Sequence, residues 1–238
     1  MGKIVFAGPS IYGVAAAELA GLDVRPPAIR GELLAASFEK PEQIALIDGF
    51  FENAPSVWHK EILYALSRGV RVYGAASMGA LRAVECQAFG MVGVGRIFDE
   101  YASGITVDDA DVALLHGPAE LNYKPLTLPL VNVRATLDHL EKEQSLSDVS
   151  CRELRTAAGR LFFKERTWRS VIANCDTTNI PNPKELLGLL VAQTVDQKRA
   201  DAMALIETVR AAPDDYASHA ISWKMHHTFL FRKSSDTP

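Results

Sequence analysis

Cysteine is scarce in this chain of 238 residues, and its three copies lie far apart at Cys86, Cys151 and Cys175. An odd number of scattered cysteines does not build the paired framework of a small secreted domain. No C-x-x-C pair and no cluster of histidine and cysteine offers zinc its usual ligands. We therefore expect three reduced thiols and no bound metal.

Long apolar runs and an excess of basic residues are also missing. No stretch is long enough to cross a bilayer, and the apolar run of the N-terminal MGKIVFAGPS is too short for a signal peptide. The formal net charge of -4 argues against a nonspecific nucleic-acid surface, which needs clustered lysine and arginine. The sequence therefore predicts a cytoplasmic protein with neither a membrane nor a nucleic-acid partner.

The glycine patterns of nucleotide-binding loops are incomplete. Gly8 and Gly13 have the G-x-x-x-x-G spacing, but Val14 and Ala15 replace the lysine and hydroxyl of a phosphate loop. The glycine-rich run Gly90–Gly95 follows a predicted helix rather than a strand, so we interpret it as a turn that closes that helix. We expect no nucleotide cofactor.

Short apolar runs alternate with helical patterns over roughly the first 90 residues, which is typical of parallel βα units. The strands predicted from these runs are Lys3–Ala7, Ile44–Ile47 and Val70–Tyr73. The predicted helices are Ile11–Leu19, Gly31–Ser37, Val57–Ser67 and Met78–Ala88.

The pattern changes beyond Gly104. Val112–Leu115 is a candidate for one more strand, and the rest of the chain has a helical pattern. The helical stretches are Val131–Glu143, Cys151–Asn174 and Pro183–Ala211. The sequence thus predicts an α/β protein with a small parallel sheet in its N-terminal half and a mostly helical C-terminal half. We expect an α/β domain over residues 1–128, a helical region over 129–233 packed on it, and a disordered tail at 234–238.

Four polar residues follow the predicted strands or begin the helices after them: Ser10, Asp48, Lys60 and Ser77. In parallel βα units every strand ends at one edge of the sheet, and ligands bind at that edge. We therefore expect these four side chains to lie in one pocket, although they come from separate parts of the chain.

Ser77 is the strongest candidate nucleophile. The run Ala75–Gly79 stands between a strand and a helix, as the G-x-S-x-G nucleophile elbow does, although Ala75 replaces the first glycine. The amide of Met78, at the start of the helix, is the obvious donor to a developing oxyanion. A serine in this position also fits a simple helix N-cap, and the pattern alone does not separate the two roles.

A serine nucleophile needs a base, and the helix at Val57–Ser67 offers two. His59 shares a face with Ile62, Leu63 and Leu66, which favours a structural role. Lys60 lies in the first turn, where the helix dipole and partial burial both disfavour a charged amine. A neutral lysine can accept the serine proton, although a solvated surface lysine also fits this position.

Seven segments together resemble the TfuA-like family. They are F-x-G-P-S at Phe6–Ser10, R-P-P-A at Arg25–Ala28, I-D-G-F-F at Ile47–Phe51, V-W-H-K-E-I-L at Val57–Leu63, G-A-A-S-M-G-A-L-R-A at Gly74–Ala83, G-M-V-G-V-G at Gly90–Gly95 and V-N-V-R-A-T at Val131–Thr136. The resemblance covers roughly the first 140 residues and is specific as a set, although each motif alone is weak. The helical C-terminal part matches loosely.

The resemblance implies a function. TfuA-like proteins accompany YcaO enzymes, which activate a peptide amide with ATP so that sulfide can replace its oxygen. The TfuA-like partner is understood to hydrolyse the thiocarboxylated C-terminus of ThiS, a ubiquitin-like sulfur carrier, by a Ser-Lys dyad. Carried over to this chain, the dyad falls on Ser77 and Lys60. The candidate oxyanion- or substrate-binding residues around it are Pro9, Ser10, Asp48, His59, Met78, Gly79 and Arg82.

Two other functions remain open at this point. The protein could be a noncatalytic adaptor that recruits YcaO or its peptide; the discriminator is whether Ser77→Ala keeps binding yet loses sulfide release. It could also be a general serine hydrolase that uses Ser77, Asp111 and His116, in which case His116→Ala would abolish activity and Lys60→Ala would not.

Overall fold

The computed structural model of the chain describes residues 2–50, 52, 54–176, 182–212 and 223–226. It contains two compact units: Met1–Val107 with Arg199–Pro238, and Asp108–Lys198. The division predicted from the sequence at residue 128 stays a prediction, and the tail at 234–238 lies outside the described residues.

The first unit contains a parallel sheet of five strands in the order β2-β1-β3-β4-β5. The strands are β1 (Lys3–Phe6), β2 (Asp23–Arg25), β3 (Gln43–Leu46), β4 (Arg71–Ala75) and β5 (Val92–Val94). Phe6 pairs with Leu46, and Leu46 pairs with Gly74. The carboxyl ends of β1, β3 and β4 therefore lie side by side, and the predicted α/β fold with a small parallel sheet is confirmed.

The strands β2 and β5 were not predicted from the sequence, and one predicted strand is wrong. The run Gly90–Gly95, interpreted as a turn, contains the edge strand β5. Its central residue must be small, because a Cβ built on Gly93 would lie 2.1 Å from the ring of Phe98. Val112–Leu115 forms no strand, since it follows a 3-10 turn and only an isolated bridge, between His116 and Pro125, is found nearby.

The helices of the described residues are α1 (Glu32–Phe38), α2 (His59–Ser67), α3 (Met78–Cys86), α4 (Arg96–Ala102), α5 (Leu130–Lys142), α6 (Asp148–Arg160), α7 (Trp168–Ala173), α8 (Pro183–Ala192) and α9 (Gln197–Ala211). The helix predicted at Ile11–Leu19 is wrong: two short 3-10 turns flank Gly13, whose φ of +75° interrupts a right-handed helix. The long stretches predicted at Cys151–Asn174 and Pro183–Ala211 each divide into two helices.

Both faces of the sheet in the first unit are covered. On one face, β-strand residues such as Ile44 and Leu46 form a core with the apolar sides of α1, α2 and α3. On the other face, Val5, Ala45 and Tyr73 pack against the last helix, α9. The apolar residues that α9 contributes are Ala202, Leu205, Ile206 and Val209. This three-layer arrangement leaves the carboxyl edge of the sheet as the place where polar loop residues meet.

The second unit is a cluster of helices. Its core joins α5, α6, α7 and α8 through buried side chains that include Leu137, Leu154, Val171 and Leu190. The guanidinium of Arg166, which is 4% exposed, donates to the carbonyl oxygens of Ala158 and Leu161. Across both units, none of the helices in the described ranges has the length and apolar composition of a bilayer-spanning segment.

Candidate functional site

Ser77 follows a tight turn at the carboxyl end of β4. The amide of Ser77 donates to the carbonyl oxygen of Ala75 at 2.7 Å, and Ala76 between them has a φ of +65°. A three-residue turn with positive φ is rare for a residue that carries a Cβ, and it costs on the order of 1–2 kcal/mol. The chain thus has a strained strand-to-helix elbow directly before the candidate nucleophile.

Two glycines make this elbow possible. A Cβ built on Gly79 would lie 1.7 Å from the carbonyl oxygen of Leu46, and one built on Gly74 would lie 2.1 Å from the carbonyl oxygen of Gly79. The amide of Gly79 also donates to the carbonyl oxygen of Ile47 at 3.1 Å. The first turn of α3 is therefore pressed against the end of β3, and no larger residue fits at either position.

The hydroxyl of Ser77 is not used as a helix cap. Ser77 occupies the N-cap position of α3 without a capping hydrogen bond from its side chain. It is 7% exposed, and its hydroxyl makes no hydrogen bond within the described part of the chain. The amide of Met78 likewise has no acceptor among the described residues. A hydroxyl and an unengaged amide thus stand together at the start of the helix.

Asp48 and Ser10 form a second polar group at this edge. The Oδ2 atom of Asp48 accepts from the amides of Gly8 and Ser10 at 2.9 and 3.0 Å, and Oδ1 accepts from the Ser10 hydroxyl at 2.7 Å. Asp48 is 1% exposed and Ser10 is 2% exposed. Since the Ser10 amide is engaged and Pro9 has no N–H, neither is available as an oxyanion donor in this arrangement.

Lys60 is half-buried in the first turn of α2, and its Nζ donates to the carbonyl oxygen of His226 at 2.8 Å. It makes no hydrogen bond with Ser77, as judged from the described residues. The adjacent Glu61 fixes the backbone here by accepting from the amides of Trp58, Gly31 and Leu34. Burial raises the pKa of the Glu61 carboxyl, which is 1% exposed.

His59 and Arg82 meet at Glu85 rather than at Ser77. The Nε2 atom of His59 lies 2.8 Å from the carboxylate of Glu85, which also accepts from Arg82 at 2.6 Å. Arg82 further donates from Nε to the carbonyl oxygen of Val57 at 2.9 Å. Glu85 is eight residues along α3 from Ser77, or about 12 Å at the usual helical rise. His59 is therefore held toward a later turn of α3.

Sequence reasoning identified most of these residues but not their contacts. The sequence predicts that Ser10, Asp48, Lys60 and Ser77 lie in one pocket. Ser10 and Asp48 are in direct contact, whereas Ser77 and Lys60 are not hydrogen-bonded to each other. Sequence reasoning missed the strained Ala76 and the carbonyl of His226. The run of small residues before Ser77 signals a tight turn, whereas no sequence signal links residue 60 with residue 226.

The residues of the alternative triad lie in the second unit and have local partners. Asp111 accepts from Arg134 at 2.8 Å, and burial raises the pKa of its carboxyl. The Nδ1 atom of His116 lies 2.7 Å from the carbonyl oxygen of Gly117. Both residues are thus engaged by partners within their own unit.

In the part of the chain that the structure describes, neither a cluster of metal ligands nor a reactive thiol marks another site. Within the described ranges no group of three or more histidine, cysteine, aspartate or glutamate side chains could hold a metal ion. All three cysteines are free thiols. Burial raises the pKa of Cys86 and of Cys175 to about 11, so both thiols are protonated at neutral pH.

Comparison with known proteins identifies the family. A search of curated proteins gave no significant match. The family model described as TfuA-like protein matches residues 48–167, which is half of the chain and includes the elbow at Ser77 and the start of α2. The chain therefore belongs to the TfuA-like family, which supports a role associated with YcaO-dependent thioamidation.

Proposed function

We propose that this protein hydrolyses the thiocarboxylated C-terminus of a ThiS-like sulfur carrier and releases sulfide for a YcaO partner. Membership of the TfuA-like family supports the association with YcaO. The single observation that carries the hydrolytic step is the elbow at Ser77, where a strained turn presents a hydroxyl beside the unengaged amide of Met78. This arrangement is typical of serine nucleophiles in acyl transfer.

In the first step the Ser77 oxygen attacks the carbonyl carbon of the thiocarboxylate, and the serine proton passes to the amine of Lys60. The amide of Met78 donates to the oxyanion. As the C–S bond breaks, Lys60 passes the serine proton to the departing sulfur, which leaves as hydrosulfide. Hydrosulfide is a far better leaving group than an amine, so a weak acid suffices for this protonation.

In the second step water hydrolyses the acyl-serine ester. Lys60, neutral again, removes a proton from water, the hydroxide attacks the ester carbonyl, and the Ser77 oxygen leaves with the proton that Lys60 returns to it. The carrier regains its carboxylate, so the net reaction converts thiocarboxylate and water into carboxylate and hydrogen sulfide. The carrier is afterwards available for another round of sulfur loading.

Lys60 must change its contact for this mechanism to operate. Its Nζ donates to the carbonyl oxygen of His226 at 2.8 Å and makes no hydrogen bond to Ser77 within the described residues. We expect carrier binding to separate Lys60 from His226 and bring the amine to Ser77.

The test is to incubate the purified protein with a thiocarboxylated carrier and to measure free sulfide. We expect catalytic release by the wild type and none above background by Ser77→Ala. The matched control is Ser37→Ala, which removes a serine that is 3% exposed and bonds only within α1, and it should retain the wild-type rate. Equal release by Ser77→Ala and the wild type would exclude Ser77 as the nucleophile.

A noncatalytic adaptor is the second candidate, and the lack of a hydrogen bond between Ser77 and Lys60 favours it. An adaptor would increase thioamidation by YcaO without releasing sulfide on its own. Ser77→Ala would then stimulate the YcaO reaction as strongly as the wild type when sulfide is supplied from a salt and also when it is supplied by the carrier. The two candidates predict different results only when the carrier supplies the sulfide. In that case stimulation of the YcaO reaction requires Ser77 if the protein is a hydrolase and does not require it if the protein is an adaptor.

A further inference from the structure

The carboxylate of Asp48 holds the turn after β1 in place. Its two oxygens accept three hydrogen bonds from Gly8 and Ser10, and its own carbonyl oxygen accepts from the amide of Ala28 at 3.0 Å. The amide of Asp48 donates to the carbonyl oxygen of Phe6 at 3.2 Å. Asp48 therefore connects β1, β3 and the segment after β2 at one point.

Both neighbours of Asp48 contact the first turn of α3. The carbonyl oxygen of Ile47 accepts from the amide of Gly79 at 3.1 Å. On the other side, a Cβ built on Gly49 would lie 3.2 Å from the sulfur and 3.3 Å from the Cβ of Met78. Ile47 is thus hydrogen-bonded to Gly79, and Gly49 lies close to Met78, so the residues on either side of Asp48 adjoin the two residues that directly follow Ser77.

We propose that Asp48 is a positioning residue for Ser77, an inference that rests on the proposed role of Ser77 as a nucleophile. Its carboxylate fixes the Gly8–Ser10 turn and the segment Ile47–Gly49, and this segment sets the position of the Met78 amide beside the Ser77 hydroxyl. Asp48 acts through the backbone and exchanges no proton in the reaction.

The surroundings of Asp48 exclude a direct acid-base role. The side chain is 1% exposed, and each of its oxygens already accepts from a donor of the Gly8–Ser10 turn. A group that gains or loses a proton during turnover needs a path to the reacting atoms or to water. Asp48 has three fixed donors around it instead, which suits a structural anchor for a loop.

The inference can be tested with a small fluorophosphonate ester, which forms a P–O bond to an activated serine and expels fluoride. The rate of Ser77 phosphonylation is followed by intact mass over a range of pH. Asp48→Asn replaces one acceptor oxygen with an amide that cannot accept from the donors of the turn. We expect its maximal labelling rate to fall between about tenfold and about 100-fold at every pH, as for misplacement of a reacting group by about 1 Å.

Three comparisons separate positioning from other roles. The half-saturating probe concentration and the inflection in the pH profile should be the same in Asp48→Asn and the wild type. Ser10→Ala should lower the rate by a smaller factor, and Asp48→Asn with Ser10→Ala should be no slower than Asp48→Asn alone, because both act on one turn. Ser37→Ala, the matched buried serine of α1, should label like the wild type. Thermal unfolding of each variant confirms that the labelled protein is folded.

Several outcomes would overturn the inference. A wild-type rate in folded Asp48→Asn would show that Asp48 does not position Ser77, and loss of the pH inflection in that variant would make Asp48 an acid-base residue. If the probe did not label Ser77 in the wild type, Ser77 would not be an activated nucleophile, and a positioning role for Asp48 would be refuted. Labelling of Ser77 without sulfide release from the carrier would instead refute the proposed function while the positioning role remained.

Discussion

The Nζ atom of Lys60 donates a 2.8 Å hydrogen bond to the carbonyl oxygen of His226, 166 residues further along the chain. The segment Trp223–His226 is anchored through Phe89: the indole N–H of Trp223 donates to the carbonyl oxygen of Phe89 at 3.1 Å, and the two rings pack edge-to-face. The amine proposed as the base is thus held by a short segment near the end of the chain.

Loosening this segment should increase activity. Trp223→Ala removes the hydrogen bond and the ring contact to Phe89, which together contribute on the order of 1 kcal/mol at this partly buried position. We expect sulfide release from the carrier to accelerate about fivefold, because Lys60 is released more often. Phe162→Ala, which removes a half-exposed aromatic ring in the second unit, should leave the rate unchanged. A slower Trp223→Ala enzyme would show that the segment supports catalysis.

Arginine should not replace Lys60. Arginine stays protonated at any ordinary pH and cannot accept the serine proton. We expect Lys60→Arg and Lys60→Ala both to lose about 100-fold or more of the sulfide-release rate, as for removal of a general base. Lys184→Arg, at an exposed lysine of α8, is the control, and circular dichroism checks the fold. Substantial activity in Lys60→Arg would make Lys60 a charge that anchors the thiocarboxylate.

Alanine should not be tolerated at Gly79. Its Cβ would lie 1.7 Å from the carbonyl oxygen of Leu46, so α3 must move away from β3. We expect Gly79→Ala to lower the free energy of unfolding by about 3 kcal/mol or more and to abolish labelling of Ser77. Gly159→Ala in α6 meets no atom within 4 Å and should raise the free energy of unfolding by about 0.5–1 kcal/mol. Denaturant titration of both variants measures the difference.

The cysteines should be unreactive near neutral pH. Burial raises the pKa of Cys86 to about 11, so roughly 0.1% of this thiol is ionised at pH 8. We expect iodoacetamide to modify Cys86 increasingly as the pH rises toward 11 and to leave sulfide release intact at pH 7. The folded state retains this proton longer than the unfolded state, so the contribution of Cys86 to stability is complete below about pH 8.5 and is lost as the pH rises toward 11. Inactivation by iodoacetamide at pH 7 would point to a cysteine nucleophile.

Chelators should not affect sulfide release. The described residues contain no cluster suited to a metal ion, and the proposed mechanism uses only side chains and the Met78 amide. We expect equal rates before and after dialysis against EDTA. Loss of activity that added zinc restores would contradict the Ser-Lys mechanism.

The parts of the fold that were predictable are those with strong local patterns. β1, β3 and β4 are continuous apolar runs with turn residues behind them, and the small residues around Ser77 indicate a sharp turn before a helix. The edge strand β5 was missed because it has three residues with Gly93 at its centre, and this glycine is explained only by the ring of Phe98. The local sequence pattern cannot show that Gly93 is required, because the requirement comes from packing against the ring of Phe98.

Long-range contacts account for what could not be predicted in the site. Ser10 and Asp48 are paired because they follow β1 and β3, which are neighbours in the sheet. The pattern of parallel βα units in the sequence predicts that such residues meet at one edge. The acceptor at His226 is its backbone carbonyl oxygen, which every residue type has. The identity of residue 226 therefore cannot indicate that it is the partner of Lys60. The helical pattern of residues 197–211 likewise predicts α9 but not that it covers the sheet face formed by Val5, Ala45 and Tyr73.

The position of α9 in the chain has a consequence during synthesis. The five strands leave the ribosome first, but the helix that covers one face of their sheet begins at residue 197, after nearly all of the second unit. A nascent chain that ends before α9 exposes the apolar side chains of that face, and such surfaces favour aggregation. Folding of the first unit must therefore be completed after translation of the second, and we expect this delay to create a need for chaperones.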